Sequence, residues 1–219
     1  MPRQSLPFAT ARTALSRSTG SRRARAGASR SGAWLGYVAV VGLDAPIGLP
    51  DRGFREADRL AKDFVGLRRN SVFMTPPRTV LEAPDPDEGR RRCLALTGQS
   101  ISSQALALRP RILEADAVAR ADRRVREVHP EVSFAALTDG HLAFAKSTWA
   151  GIVLRRRLLT DACIVLPDNL GSAGAAGVDD VLDAAAAAGS AARIAAGRGR
   201  SLPADPRVGP DGHAAAIWY

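Results

Sequence analysis

At 219 residues and 46% hydrophobic side chains, the chain is long enough to bury the core of one ordinary domain. No window approaches the ~18 continuous apolar residues of a membrane-spanning helix. Cys93 and Cys163 show no CxxC or Cys/His spacing, which argues against a zinc site or a disulfide framework and for reduced thiols in an intracellular, cytoplasmic protein. The net charge of +9 overstates the basic character of the body: residues 1–43 hold seven arginines and no Lys, Asp or Glu, and 9 less 7 leaves +2 for the remainder.

Residues 1–33 are rich in Ser, Arg, Ala, Gly and Thr and lack apolar periodicity. Such a segment cannot bury enough surface to offset its ordering entropy, so it is expected to be disordered. An organelle transit peptide, an export signal and the product of a misplaced start or shifted reading frame are the three origins to weigh. No small-x-small cleavage signal separates the apolar stretch from 44–46, which argues against export. The Arg-over-Lys bias, with only Lys62 and Lys146, suits a high-GC bacterial genome and favours the third origin. As a native arm it would add salt-sensitive, sequence-independent contacts to nucleic-acid phosphates.

The first strand is expected at 37–44, an apolar run that ends on Asp44 and is stopped by the Pro46–Gly48 turn. A carboxylate at the end of a buried strand must be paired, hydrogen-bonded or metal-bound; Asp44 is therefore a candidate ligand or base, although capping the turn is also an ordinary task for Asp. Helix periodicity covers 53–64, and Gly66 ends it. The loop at 70–78 (NSVFMTPPR) is Pro-rich with apolar anchors, a type that often lies over a site. Asp85-Pro86-Asp87-Glu88 combines a cap, Pro at the first helical position and an acid three residues on, opening a helix that stops at Gly98. Another helix is expected over 100–120 with a break or kink at Pro110.

A second strand is read at 124–129. Alternation there puts Val125, Glu127 and His129 on one side and Arg126 and Val128 on the other, so Glu127 could join Asp44 were the strands neighbours. Glu131 follows Pro130 at a helix start, where capping is the default. His129 could shuttle protons, against the commoner structural role of a lone histidine. A strand at 142–144, a helix over 148–160 capped by Ser147, a helix over 178–196 and a terminal strand at 214–218 complete the reading. Asp180 and Asp183 lie three apart on one helical face, where both could point at a single ion, and where the helix dipole also favours acids. The alanines at 184–188 would let that helix approach a sheet closely and bring its acidic start near Asp44. Strands interleaved with helices indicate an α/β layered domain over 34–219.

The pieces VGLDAPIGLPD (41–51), SVFMTPPR (71–78), GQSISSQALAL (98–108), VREVHPEVSFAAL (125–137), KSTWAGIVLRR (146–156), DDVLDAAAAA (179–188) and AIWY (216–219), taken in order, resemble domain-of-unknown-function family 429, described as predicted RNase H-like nucleases. The resemblance implies an RNase H-like fold, a mixed five-stranded sheet flanked by helices, with acids that hold Mg²⁺ or Mn²⁺ for phosphodiester hydrolysis. On that mapping Asp44, Asp180 and Asp183 are metal ligands, and Glu127 is an additional catalytic ligand or base. The family also opens on a strand bearing an aspartate, whereas Asp44 is the first acid in this chain. The expectation is therefore an N-terminally incomplete or frame-shifted member, inactive as it stands. Gly189 is a smaller departure, where the family usually has a larger residue. The competing expectation is a non-catalytic α/β binding module for a phosphorylated ligand or a protein partner.

Overall fold

The computed structural model describes residues 38–138, 141–209 and 212–219; the segment 1–33 and the first residue of the expected 37–44 strand lie outside them. The architecture is mixed α/β. Its elements are β1 (Val41–Leu43), α1 (Glu56–Val65), α2 (Arg78–Leu81), α3 (Pro86–Thr97), α4 (Ser103–Ala121), β2 (Val125–Glu127), α5 (Pro130–Ala135), α6 (Trp149–Asp161), α7 (Val178–Ala195), β3 (Ser201–Leu202) and β4 (Ile217–Trp218). Strands β1 and β2 pair in parallel, with Leu43 opposite Glu127. Strands β3 and β4 pair antiparallel, and an isolated parallel bridge between Val128 and Trp218 ties the two ladders edge to edge. No helix among the described residues is long and apolar enough to cross a membrane.

Local chemistry accounts for most boundaries. Asp85 caps α3 by accepting from the Asp87 and Glu88 amides, and Gly98 closes it in the left-handed conformation. Helix α4 runs through Pro110 without a break, so the helix does not end there. Helix α6 is capped by Thr148, which accepts from the Gly151 amide; the expected cap, Ser147, lies one residue too early. No strand forms at 142–144. Instead Leu142 is buried with Phe134, Leu159 and Leu182, and the Leu142 and Ala143 carbonyls accept from Arg68 rather than from a neighbouring strand.

The β1–β2 ladder is sandwiched. Val41, Leu43 and Val125 pack with Ile47 and with Ala119 of α4 on one side. Gly42 faces the other side, where a Cβ would lie 2.9 Å from the Ala187 carbonyl oxygen of α7. The alanine run thus does what its size permits: α7 rests almost directly on the strand backbone. Further along α7, Gly189 leaves the room that Ile164 fills. A second core joins Ala57, Ala61 and Val65 of α1 to Val132, Ile217 and Tyr219.

Candidate functional site

The register of the ladder decides which acids can meet. Pairing puts Glu127 opposite Leu43, and paired residues of neighbouring strands point to the same face. Asp44 follows Leu43 and so belongs to the opposite face, the one Gly42 presents to α7. Glu127 and Asp44 are neighbours in sequence register but face opposite layers. The expectation that Glu127 joins Asp44 is corrected on this ground.

Glu127 is instead part of a buried ion cluster. Its Oε2 accepts from the Ile47 amide at 2.7 Å and from Arg55 Nη1 at 2.6 Å, while Oε1 accepts from Arg55 Nη2 at 2.8 Å. Arg55 also donates to Asp58 Oδ1 and to the Ile47 carbonyl. Asp58 in turn accepts from the Thr75 amide at 2.7 Å. The Arg55 and Glu127 side chains are 2% and 5% exposed. Burial works against the charge on Arg55, but Asp58 and Glu127 outweigh it and hold its pKa above the ordinary value. Burial raises the Glu127 carboxyl pKa and the charge of Asp58 adds to the rise, while Arg55 and the Ile47 amide oppose it. Both oxygens of Glu127 are spent on holding the 44–50 turn to α1.

The α7 face gathers the other acids. Asp183, 15% exposed, accepts from Lys146 Nζ at 2.6 Å through Oδ2, and Asp179, one turn earlier, lies 3.6 Å from the same ammonium. The Oδ1 atom of Asp183 is buried without a hydrogen-bond partner. Burial raises the Asp183 carboxyl pKa; Lys146 opposes this, and the charges of Asp44 and Glu131 add to the rise. Asp44 is reachable by solvent at the rim, yet the atoms crowding its carboxyl raise its pKa as well, with His129 and Lys146 pulling the other way. For Lys146, burial disfavours the ammonium, but the hydrogen bond to Asp183 and the charges of Asp183, Asp179 and Asp44 prevail and raise its pKa. His129 enters this field because the strand ends at Glu127 and the chain turns into α5, so simple alternation no longer places it.

Asp44 and Asp183 are therefore brought into one electrostatic site. Asp180 is not on Lys146: its Oδ2 lies 3.3 Å from where a Cβ of Gly177 would sit, at the helix start. Among the described residues no three His, Cys, Asp or Glu side chains converge as a ready metal-holding group. Two residues that composition and spacing did not single out complete the surroundings. Lys146 supplies the cation, and Arg155, fully buried, grips both oxygens of Glu131 at 2.7 and 2.9 Å. Only the pairing of a lone lysine with a distant acid on α7 could have revealed Lys146, and that pairing is tertiary.

The 70–78 loop reaches His129, whose Nε2 lies 3.3 Å from the Ser71 carbonyl oxygen. Val72, Phe73, Met74 and Pro76 wall a cavity of about 370 Å³ that also touches Phe54, Lys62 and Ile101, and none of the α7-face acids lines it. Cys93 is buried there, while Cys163 is exposed.

No curated protein and no solved structure matches the chain. A family match does extend across most of it, over residues 10–208, and takes in β1 with Asp44, the Lys146 segment and the acidic start of α7. The chain belongs to the family described as Protein of unknown function (DUF429).

Proposed function

We propose that the chain is a metal-dependent nuclease of RNase H-like type, hydrolysing phosphodiester bonds with Mg²⁺ or Mn²⁺. The observation that supports this reading is the meeting of Asp44, at a strand end, with Asp183, at the start of a helix, where a buried Asp183 oxygen has no partner. The donor chemistry fits: hard divalent ions take carboxylate oxygens, and Mg²⁺ is held by one or two carboxylates while keeping several waters. Asp44 and Asp183 would hold the ion. Asp180, the third ligand expected from the family pattern, sits beside them but turned to the helix start, and Glu127 is a structural anchor.

A bound ion would acidify a coordinated water and neutralise charge on the phosphoryl oxygens. The chain's own residues do the rest. Lys146, 41% exposed beside the acids, offsets their charge so that an anionic backbone can approach. His129 stands in the field of Asp44, where a ring nitrogen could take or return a proton. The charge of Glu131, buried in its pair with Arg155, adds to the field at Asp183. The expectation of an inactive chain rests on the lack of an acid before residue 44; with Asp44 and Asp183 still available to an ion, slow turnover is expected instead.

Mn²⁺ binding, followed by calorimetry or electron paramagnetic resonance, tests this alongside cleavage of single-stranded, duplex and hybrid substrates. The expected result is Mn²⁺ binding and Mn²⁺-dependent cleavage, both lost in Asp44→Asn and in Asp183→Asn. Cleavage that is indifferent to both substitutions, or no metal binding at all, would overturn the reading. The second reading, a non-catalytic α/β module, draws on Lys146 already neutralising Asp183 at 2.6 Å; it predicts no metal binding.

A further inference from the structure

Helix α6 begins beside the acids and carries on its outer side a surface that the proposed chemistry does not use. Trp149, its first residue, is 79% exposed, and Phe144, two residues before Lys146, is 49% exposed. In a chain with only 5% aromatic residues these are the only exposed aromatics among the described residues. They stand on either side of Lys146 in sequence, and a three-residue span keeps Trp149 within about 11 Å of it. Exposing a tryptophan in this way forgoes a large hydrophobic gain.

The segment is held stiffly. The Thr148 amide and hydroxyl both donate to the Ala145 carbonyl, Thr148 caps α6, and Gly151 is packed so tightly on the Ala145 carbonyl that a Cβ would collide with it. The turn that joins Phe144 to Trp149 is thus fixed. Along the same side of α6 follow Val153, 45% exposed, and then the exposed Arg156 and Arg157, spaced four and then three to four residues so that they form one outward stripe. Aromatic faces followed by cations match an alternation of bases and phosphates.

We infer that Phe144 and Trp149 form a base-stacking platform for single-stranded nucleic acid, which Arg156 and Arg157 follow along the backbone, so that a phosphodiester is delivered to Lys146 and the acids. The inference rests on the nuclease reading for its direction and names that site's substrate class. Single strands are specified because a base within a duplex has no free face to stack. A protein partner would equally cover Trp149 and Val153, but it would not require cations in line with the aromatics.

The test measures binding of the full chain to a fluorescein-labelled oligo-dT, an oligo-rU of equal length and a blunt duplex, by anisotropy in EDTA so that cleavage is off. Single strands are expected to bind more tightly than the duplex. Trp149→Ala should weaken them about tenfold or more, Trp149→Phe much less, and neither should alter the duplex. Tryptophan emission should fall on binding of the single strand, and Trp149→Phe should abolish most of that quench. Equal binding of strand and duplex, or single-strand affinity unchanged in Trp149→Ala, would overturn the platform; a Trp149 that binds only a protein gives that result. If Trp149 governs single-strand binding while Mn²⁺ elicits no cleavage, the platform stands and the nuclease reading falls. If Asp44-dependent cleavage persists while Trp149→Ala binds normally, the reverse holds. The dT and rU arms distinguish DNA from RNA.

Discussion

The two faces of the β1–β2 ladder hold carboxylates under opposite conditions. On the α4 side, Glu127 and Asp58 surround Arg55, and the Ile47 and Thr75 amides add further hydrogen bonds. On the α7 side, Asp179 and Asp183 share Lys146, Asp44 stands in the field of the same cation, and one Asp183 oxygen has no partner. A carboxylate with every oxygen engaged contributes to the fold. One left crowded and incompletely paired is a place where a cation is still accommodated. The contrast teaches that a buried acid is read by the bonds its oxygens lack.

The largest expected effect breaks the satisfied cluster. Arg55→Met removes the shared cation and leaves Glu127 and Asp58 buried without it, so the chain should lose about 3–5 kcal/mol in urea unfolding. A loss below 1 kcal/mol would show that this side is no better satisfied than the other. Gly42→Ala tests the close approach of α7, since its Cβ would meet the Ala187 carbonyl oxygen at 2.9 Å and Val128 at 3.1 Å. A destabilisation of roughly 1–3 kcal/mol is expected, with weakened Mn²⁺ binding as α7 shifts. Unaltered stability would mean that the helix is not seated on the strand.

The unsatisfied face should respond to pH with the opposite sign from an ordinary paired carboxylate. Asp44 has a folded pKa raised above the ordinary 3.8, so the folded state binds its proton more tightly and stability falls as pH rises through the raised value. Asp44→Asn should therefore match the wild type in melting temperature below the ordinary value and exceed it above the raised one. A pH-independent difference, or a variant less stable at neutral pH, would refute this. Metal affinity should weaken on acidification across the same window, because the ion requires the ionised carboxylates. The smallest effect belongs to Asp180→Asn. Only helix-dipole stabilisation of about 0.3–1 kcal/mol is at stake, and Mn²⁺ binding should persist. Loss of binding equal to that of Asp183→Asn would restore Asp180 as a ligand.

Much of the fold was legible in the linear pattern. The cap and αL closure of α3, the periodicity of α1 and the Ala-rich α7 follow from local rules, and the structure places them within a few residues of where those rules do. The misreadings have local causes too. Thr148 outcompeted Ser147 as a cap because the turn back to Ala145 orients its hydroxyl toward the Gly151 amide. The apolar run at 142–144 was taken up by a core of helices instead of a ladder.

The amino-acid sequence by itself determined where the acids stand along their elements, that small residues would let α7 lie on a strand, and which family the chain resembles. Only the tertiary structure decided which acids meet. Pairing Leu43 with Glu127 sent Glu127 to Arg55 and left Asp44 facing α7, because a strand's side chains alternate and a single residue of register exchanges the two faces.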